Sequence, residues 1–219
     1  MKTTVVSCKT LLNEVSRAVD KFQCPYEVRY VEEGLHNTPK KLTRRLQEIL
    51  DSIDEDCDTV LLAMGFCGNS VVGLNTGNFQ MIIPKMDDCI SLLMGSVERR
   101  MQYKGTYFMT EGWIRGERNI WREYEYCVEK FGEKVGMEIF DTMFHNYNTV
   151  GLLDTGCFSL PAAEQETRRI ADHLHLQYAR LDGTLEILEK LFKGRWDEAQ
   201  FLRIPPHTTI QQQDCILNP

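Results

Sequence analysis

The sequence predicts an α/β fold: a mostly parallel sheet with helices on both faces. Three observations carry this. Short runs rich in β-branched residues alternate with segments of helical period over most of the chain. One run, residues 59–64 (TVLLAM), is almost continuously apolar, as a strand covered on both sides must be. Asp or Thr before helical segments and Gly after them mark the junctions.

The elements follow in order. Residues 3–7 (TTVVS) read as a strand. Residues 9–22 form a helix with Leu11, Leu12, Val15, Ala18 and Val19 at helical spacing. Residues 26–31 (YEVRYV) alternate and give a second strand. Thr38 is an N-cap with Pro39 at the first helical position, and the helix runs to residue 53 with Leu42, Leu46, Ile49, Leu50 and Ile53 on one face. After the strand at 59–64 comes GFCGNSVVGLNTGN, dense in Gly and Asn. Residues 79–83 are a strand closed by Pro84. Asp87 or Asp88 caps a helix carrying Ile90, Leu92, Leu93 and Met94, and Gly95 ends it.

Residues 98–146 differ in texture. GTYFMTEGWIRG leads into a charged, helix-rich stretch from Arg118 to Phe144, which reads as a helical excursion from a single α/β domain spanning residues 1–219. Alternation then resumes. Residues 149–154 (TVGLLD) are a strand, TGCFSLP a loop, 162–175 a helix, 176–181 a strand, 185–193 a helix and 201–205 a last strand. TTIQQQDCILNP reads as a tail. IIPKMDDCISLLMG and YARLDGTLEILEKLFKG echo each other, which fits two related βαβ halves. It also fits the general preference for Asp caps and Gly stops.

Composition narrows the function. The chain has 219 residues, 42% hydrophobic and 26% charged, with a net charge of −7. That size supports a core without disulfide staples, and the acidic balance disfavours a nucleic-acid partner. No apolar run is long enough for a bilayer, and the amino terminus lacks an uninterrupted apolar region of the secretory kind. The expectation is a cytoplasmic protein with no membrane partner. Its eight cysteines then read as reduced thiols rather than a disulfide framework. None occurs as CxxC, so any metal site must be assembled from distant segments.

Cys8, Cys67 and Cys89 each lie where a predicted strand runs out. In a parallel sheet those ends share one edge, where such folds place chemistry. Each alone reads as a buried apolar thiol. Together they suggest a metal site: zinc held by three thiolates with one exchangeable position, or an iron–sulfur cluster with one unsatisfied iron. Gly65 and Gly68 flank Cys67 and would let backbone approach a cofactor. Asn69 could donate to a bound anion, or be a turn residue with positive φ. Of Asp87 and Asp88, one caps a helix and the other could act on a ligand; Asp88 is the catalytic candidate. Glu111 beside Trp113 could be an acid of raised pKa, with Trp113 against a cofactor, or a surface carboxylate near a core aromatic. Asp154, Thr155, Gly156 and Cys157 follow a later strand on the same expected edge, making Cys157 a fourth candidate thiol. Cys24, Cys57, Cys127 and Cys215 have no comparable setting. The five histidines form no HxxxH or HExxH motif, and GFCGNSVVG matches neither the P-loop nor the dinucleotide fingerprint.

At SCKTL, GFCGN, PKMDDCISLLMGS, GTYFMTEGWI and LLDTG the chain resembles a domain family of unknown function found mainly in methanogenic archaea and anaerobic bacteria. The resemblance covers nearly the whole chain. In that family a His stands before the Asp of the Asp-Cys segment; here the position is Asp87, and a harder ligand would shift metal preference. The resemblance implies a shared α/β fold and a thiol-rich site, and more loosely a place in corrinoid-dependent methyl metabolism with a protein partner there.

Three functions remain open from the sequence. One is a metal- or iron–sulfur-dependent protein acting on a small-molecule substrate in anaerobic methyl or sulfur transfer. Another is a metal-free enzyme with Cys67 or Cys89 as nucleophile. The third is a non-enzymatic cofactor-binding or chaperone protein. No corrinoid-binding DxHxxG motif is present.

Overall fold

The computed structural model describes residues 2–117 and 119–216. The strands are β1 (Thr3–Cys8), β2 (Glu27–Val31), β3 (Thr59–Ala63), β4 (Gln80–Pro84), β5 (Thr106–Met109), β6 (Thr149–Asp154), β7 (Gln177–Asp182) and β8 (Phe201–Ile204). The helices are α1 (Leu12–Phe22), α2 (Pro39–Asp51), α3 (Cys89–Met94), α4 (Val97–Met101), α5 (Glu111–Arg115), α6 (Ile120–Phe131), α7 (Glu133–Phe144), α8 (Leu160–His173) and α9 (Glu186–Phe192). Where the sequence reads as one domain, packing divides the chain into two compact units, Met1–Arg100 with Thr184–Pro219, and Met101–Gly183.

The first unit is built on a five-stranded sheet of order β2-β1-β3-β4-β8. Its first four strands are parallel, and β8 closes the sheet antiparallel to β4, with Met81 opposite Ile204 and Pro84 opposite Phe201. All of β3 is buried, which explains its unbroken apolar run. Alternate residues serve opposite faces. Val6, Leu62, Met81 and Ile83 join Leu42, Leu46, Ile49 and Leu50 of α2 in one cluster. On the other face α9 packs against β3 and β4 and against α1 and α3. Each fully buried Leu or Ile in these layers stabilises the unit by about 1.5–3 kcal/mol relative to exposure.

The second unit holds a three-stranded parallel sheet, β5-β6-β7, with β6 in the middle. Met109, Val150 and Ile170 pack there with Tyr124, Phe140 and Phe144 of the α6–α7 pair. The α/β class and the helices on both faces of a mostly parallel sheet are as the sequence implies.

Several local expectations are corrected. Residues 98–146 include a strand, β5, which pairs with β6; four residues between glycine-containing segments give too short an alternation to stand out. The helix expected from Arg118 begins on a residue outside those described; α6 starts at Ile120, capped by the Asn119 side chain, which accepts from the Arg122 amide at 2.9 Å. Asp154 and Cys157 lie at the end of β6, in a different sheet from β1, β3 and β4, so they do not share that edge. The described part of the expected tail, to residue 216, is packed: Ile210 and Cys215 are buried, and the Thr208 amide donates to Thr76 Oγ1 at 2.9 Å. The two echoing segments are β4–α3 and β7–α9, whose strands belong to different sheets.

Candidate functional site

Parallel pairing puts the carboxyl ends of β1, β2, β3 and β4 along one edge, with Cys8 opposite Val31 and Ser7 opposite Ala63. Past that edge the chain does not splay. The Phe66 amide donates to the Met86 carbonyl at 2.8 Å and the Cys67 amide to the Asp87 carbonyl at 2.7 Å. The loop after β3 and the segment after β4 are thereby joined side by side. Gly65 is required for this: a Cβ there would lie 2.5 Å from the Asp88 carbonyl carbon, a distance no side chain tolerates.

After Phe66 the backbone turns sharply. Cys67, Gly68 and Asn69 have φ of 45°, 68° and 63°, left-handed values that are unfavourable for a cysteine. The turn is held from below. Ser70 donates to the Phe66 carbonyl through its amide (2.9 Å) and its hydroxyl (3.0 Å). Thr43 of α2 donates to the Ser70 carbonyl at 2.7 Å, and Val71 and Leu74 are fully buried. Asn69 therefore adopts the positive-φ turn conformation that was one of its two sequence readings.

Cys8 ends β1, and Cys67 and Cys89 follow the ends of β3 and β4 on that edge. Cys8, buried at the end of β1, accepts from the Thr10 hydroxyl at 3.1 Å. The Cys89 thiol, followed by burial, pushes the Cys8 thiol well above the usual range. Cys67, together with burial, does the same to Cys89. The Gly65 backbone amide works to lower the Cys89 thiol's pKa, against larger opposing causes. Neighbouring thiols cannot ionise together at small cost. Among the described residues no group of three or more His, Cys, Asp or Glu side chains is set to hold a metal ion.

Asp88 is occupied structurally. Its Oδ1 accepts from the Ser91 amide at 2.7 Å, capping α3, and its Oδ2 lies 3.2 Å from Arg100 Nε. Arg100 also pairs with Asp87 at 3.7 Å. His36 was not singled out by the sequence. It lies between β2 and α2, half-buried, where burial lowers its pKa and the Asp88 charge works in the opposite direction. The available signal was topological: β2 runs parallel beside β1, so the chain after Val31 leaves from the edge where Cys8 lies.

Glu111 and Trp113 belong to the second unit, apart in sequence and in sheet from the three thiols. They form the first turn of α5, where Thr110 Oγ1 accepts from the Trp113 amide at 3.3 Å and Glu111 pairs with Arg115 at 2.5 Å. Asp154 is paired with Arg180 at 2.6 Å and accepts from the Gly156 amide at 2.9 Å. Cys57 and Cys215 are buried in the core of the first unit.

A family model described as protein of unknown function (DUF1638) matches residues 30–192. The chain belongs to that family. The matched span includes Cys67, Cys89, Asp88, Glu111 and Trp113, while Cys8 precedes it. No curated protein and no solved structure matches the chain. Among the described residues no helix is long and apolar enough to cross a membrane.

Proposed function

We propose that this DUF1638 protein binds a thiophilic metal ion, zinc, or an iron–sulfur cluster through Cys8, Cys67 and Cys89. The observation that carries the reading is the placement of three thiols at or just after three parallel strand ends on one sheet edge. As thiols they need no compensating charge. As thiolates they would place three negative charges in a partly buried site, and a bound cation offsets that cost. Thiolates select zinc and iron–sulfur clusters over harder ions. Capture on a common centre requires side chains to move from the positions they hold here, and Cys67, on the loop, is the natural one. An ion so held keeps a position for a small-molecule substrate, where a substrate thiol would lose its proton. A place in anaerobic methyl, corrinoid or sulfur metabolism rests on the family resemblance alone. Cytoplasmic location rests on the reduced state that such thiols need.

The test is anaerobic purification followed by elemental analysis and titration with zinc. About one equivalent of zinc, or the iron of one cluster, is expected in the native protein, with loss in Cys67→Ser and Cys89→Ser. Metal-free protein that shows no thiolate-to-metal absorption on titration would reject the reading.

A second reading is favoured by one observation. Cys67 carries φ of 45° on a turn anchored to the core, and such strain gathers at reactive positions. As a nucleophile, Cys67 would be alkylated by iodoacetamide faster than the other thiols at neutral pH. Alkylation with the apparent pKa of an ordinary thiol would count against it.

A further inference from the structure

We infer that α7 is a docking surface for a second copy of this chain, the two α7 helices packing in opposite directions about a twofold axis at Ile139. The inference uses neither the thiols nor a metal and is independent of the function proposed above. Among the described residues eight large apolar side chains are exposed, and six of them lie between residues 126 and 147. Scattered apolar residues need no explanation, but a concentration of this kind marks an interaction site. Within it α7 carries an ordered element. Gly136, Phe140 and Phe144 are buried, and Gly136 comes so close to α6 that a Cβ there would lie 2.8 Å from Val128 Cγ2. That contact uses one side of the helix. Beside it Val135, Ile139 and Met143 recur at every fourth residue, with Val135 43% and Met143 49% exposed and Ile139 half-buried. Residues at this spacing form a ridge on a helix surface, and ridges of this class interdigitate in the commonest mode of helix packing.

The charges along α7 choose the occupant. Lys134 lies towards the amino end of the helix and Glu138 and Asp141 towards its carboxyl end, and all three are exposed. In a twofold contact residue i meets residue j and j meets i. With Ile139 on the axis, Val135 of one copy lies opposite Met143 of the other. Lys134 of each copy then comes over the Glu138–Asp141 stretch of the other, so opposite signs face one another twice. A uniformly basic partner would oppose Lys134, and a uniformly acidic one would repel Glu138 and Asp141; like charges set face to face exclude wrong partners. A second copy satisfies both ends of the ridge. The twofold contact also closes on itself, so assembly stops at two chains. One ridge against another buries less than a full-sized interface, which makes the dimer weak and dependent on concentration.

The test is sedimentation equilibrium of the reduced full chain from about 1 to 200 μM, the range in which a contact of this size exchanges. A reversible monomer–dimer equilibrium is expected. Met143→Asp should weaken it about tenfold or more, as loss of a central apolar contact does. Lys134→Glu alone should weaken it, and so should Glu138→Lys combined with Asp141→Lys. All three charge reversals together should restore it, because every facing pair is then inverted. Orientation is read separately. A mixture of Val135→Cys and Met143→Cys chains, mildly oxidised and peptide-mapped, should give a link between residues 135 and 143 of different copies. A chain that stays monomeric over the whole range overturns the inference. So does a dimer indifferent to both Met143→Asp and Lys134→Glu, or one linked through residue 135 of both copies. If Met143→Asp disturbs the fold, the charge-reversal series, confined to exposed side chains, still decides.

Discussion

The Cys67 amide reaches the Asp87 carbonyl at 2.7 Å, and through that bond the β3 and β4 pairing continues beyond the ends of the strands. The loop bearing Cys67 and the segment leading to Cys89 are thus a single extended platform, with Gly65 at the point where the two backbones come closest.

Gly65→Ala should break that platform. The added methyl would sit 2.5 Å from the Asp88 backbone, and backbone cannot swing aside as a side-chain tip can. A loss of about 1–3 kcal/mol is expected from overpacking of this kind, measured by urea denaturation.

Asp88→Ala should cost about 1 kcal/mol through loss of the α3 cap. Asp88→Asn should retain most of that, since an amide oxygen can still accept from Ser91. The Arg100 ion pair is about one-third exposed on both sides and adds little by itself. Thermal melts of the two variants separate capping from charge: equal losses would show that the carboxylate charge, not the cap, matters.

Much of the fold could be read from the residues because its signals are local. The buried run TVLLA, the Asp88 cap and the Gly95 stop, at φ 84°, report their own positions. Placement of Cys8, Cys67 and Cys89 at one sheet edge follows from parallel pairing of the strands that they end or follow. Partition of the strands into two sheets was not legible, because pairing partners are chosen by tertiary packing and β5 is only four residues long. For the same reason Asp154 and Cys157 were assigned to the wrong edge. Thr38 precedes α2 as expected but makes no side-chain cap bond; the Pro39 ring fixes the helix start instead. His36 was passed over because its proximity to Asp88 depends on where the chain goes after β2.

Ile210→Ala tests whether the segment after β8 belongs to the core. Ile210 is 1% exposed and packs with α2 and β4 residues. A loss of about 2–5 kcal/mol is expected for removing such a side chain, by equilibrium unfolding. A change below about 0.5 kcal/mol would show a surface segment.

Cys8 and Cys89 make stability depend on alkaline pH. Cys8 and Cys89 hold their protons more tightly when folded than when unfolded. Their contribution is complete below the ordinary thiol pKa of about 8.5 and is lost as pH rises from there through the folded values. Native protein should lose stability between neutral pH and the alkaline range, and Cys89→Ser should lose less. Chemical denaturation at several pH values, native minus variant, isolates the thiols from lysine and tyrosine titration. Equal slopes would refute the coupling.

The five-stranded sheet is completed by a strand that the ribosome delivers late. β8 pairs with β4, yet every residue of the β5-β6-β7 unit is translated between them. During synthesis the three-stranded unit can fold while the edge of β4 stands bare, for on the order of ten seconds at ordinary elongation rates. An open strand edge of that lifetime invites pairing with other nascent chains. Yield in the cell should therefore respond to chaperone supply and translation speed more than the stability of the finished molecule would suggest.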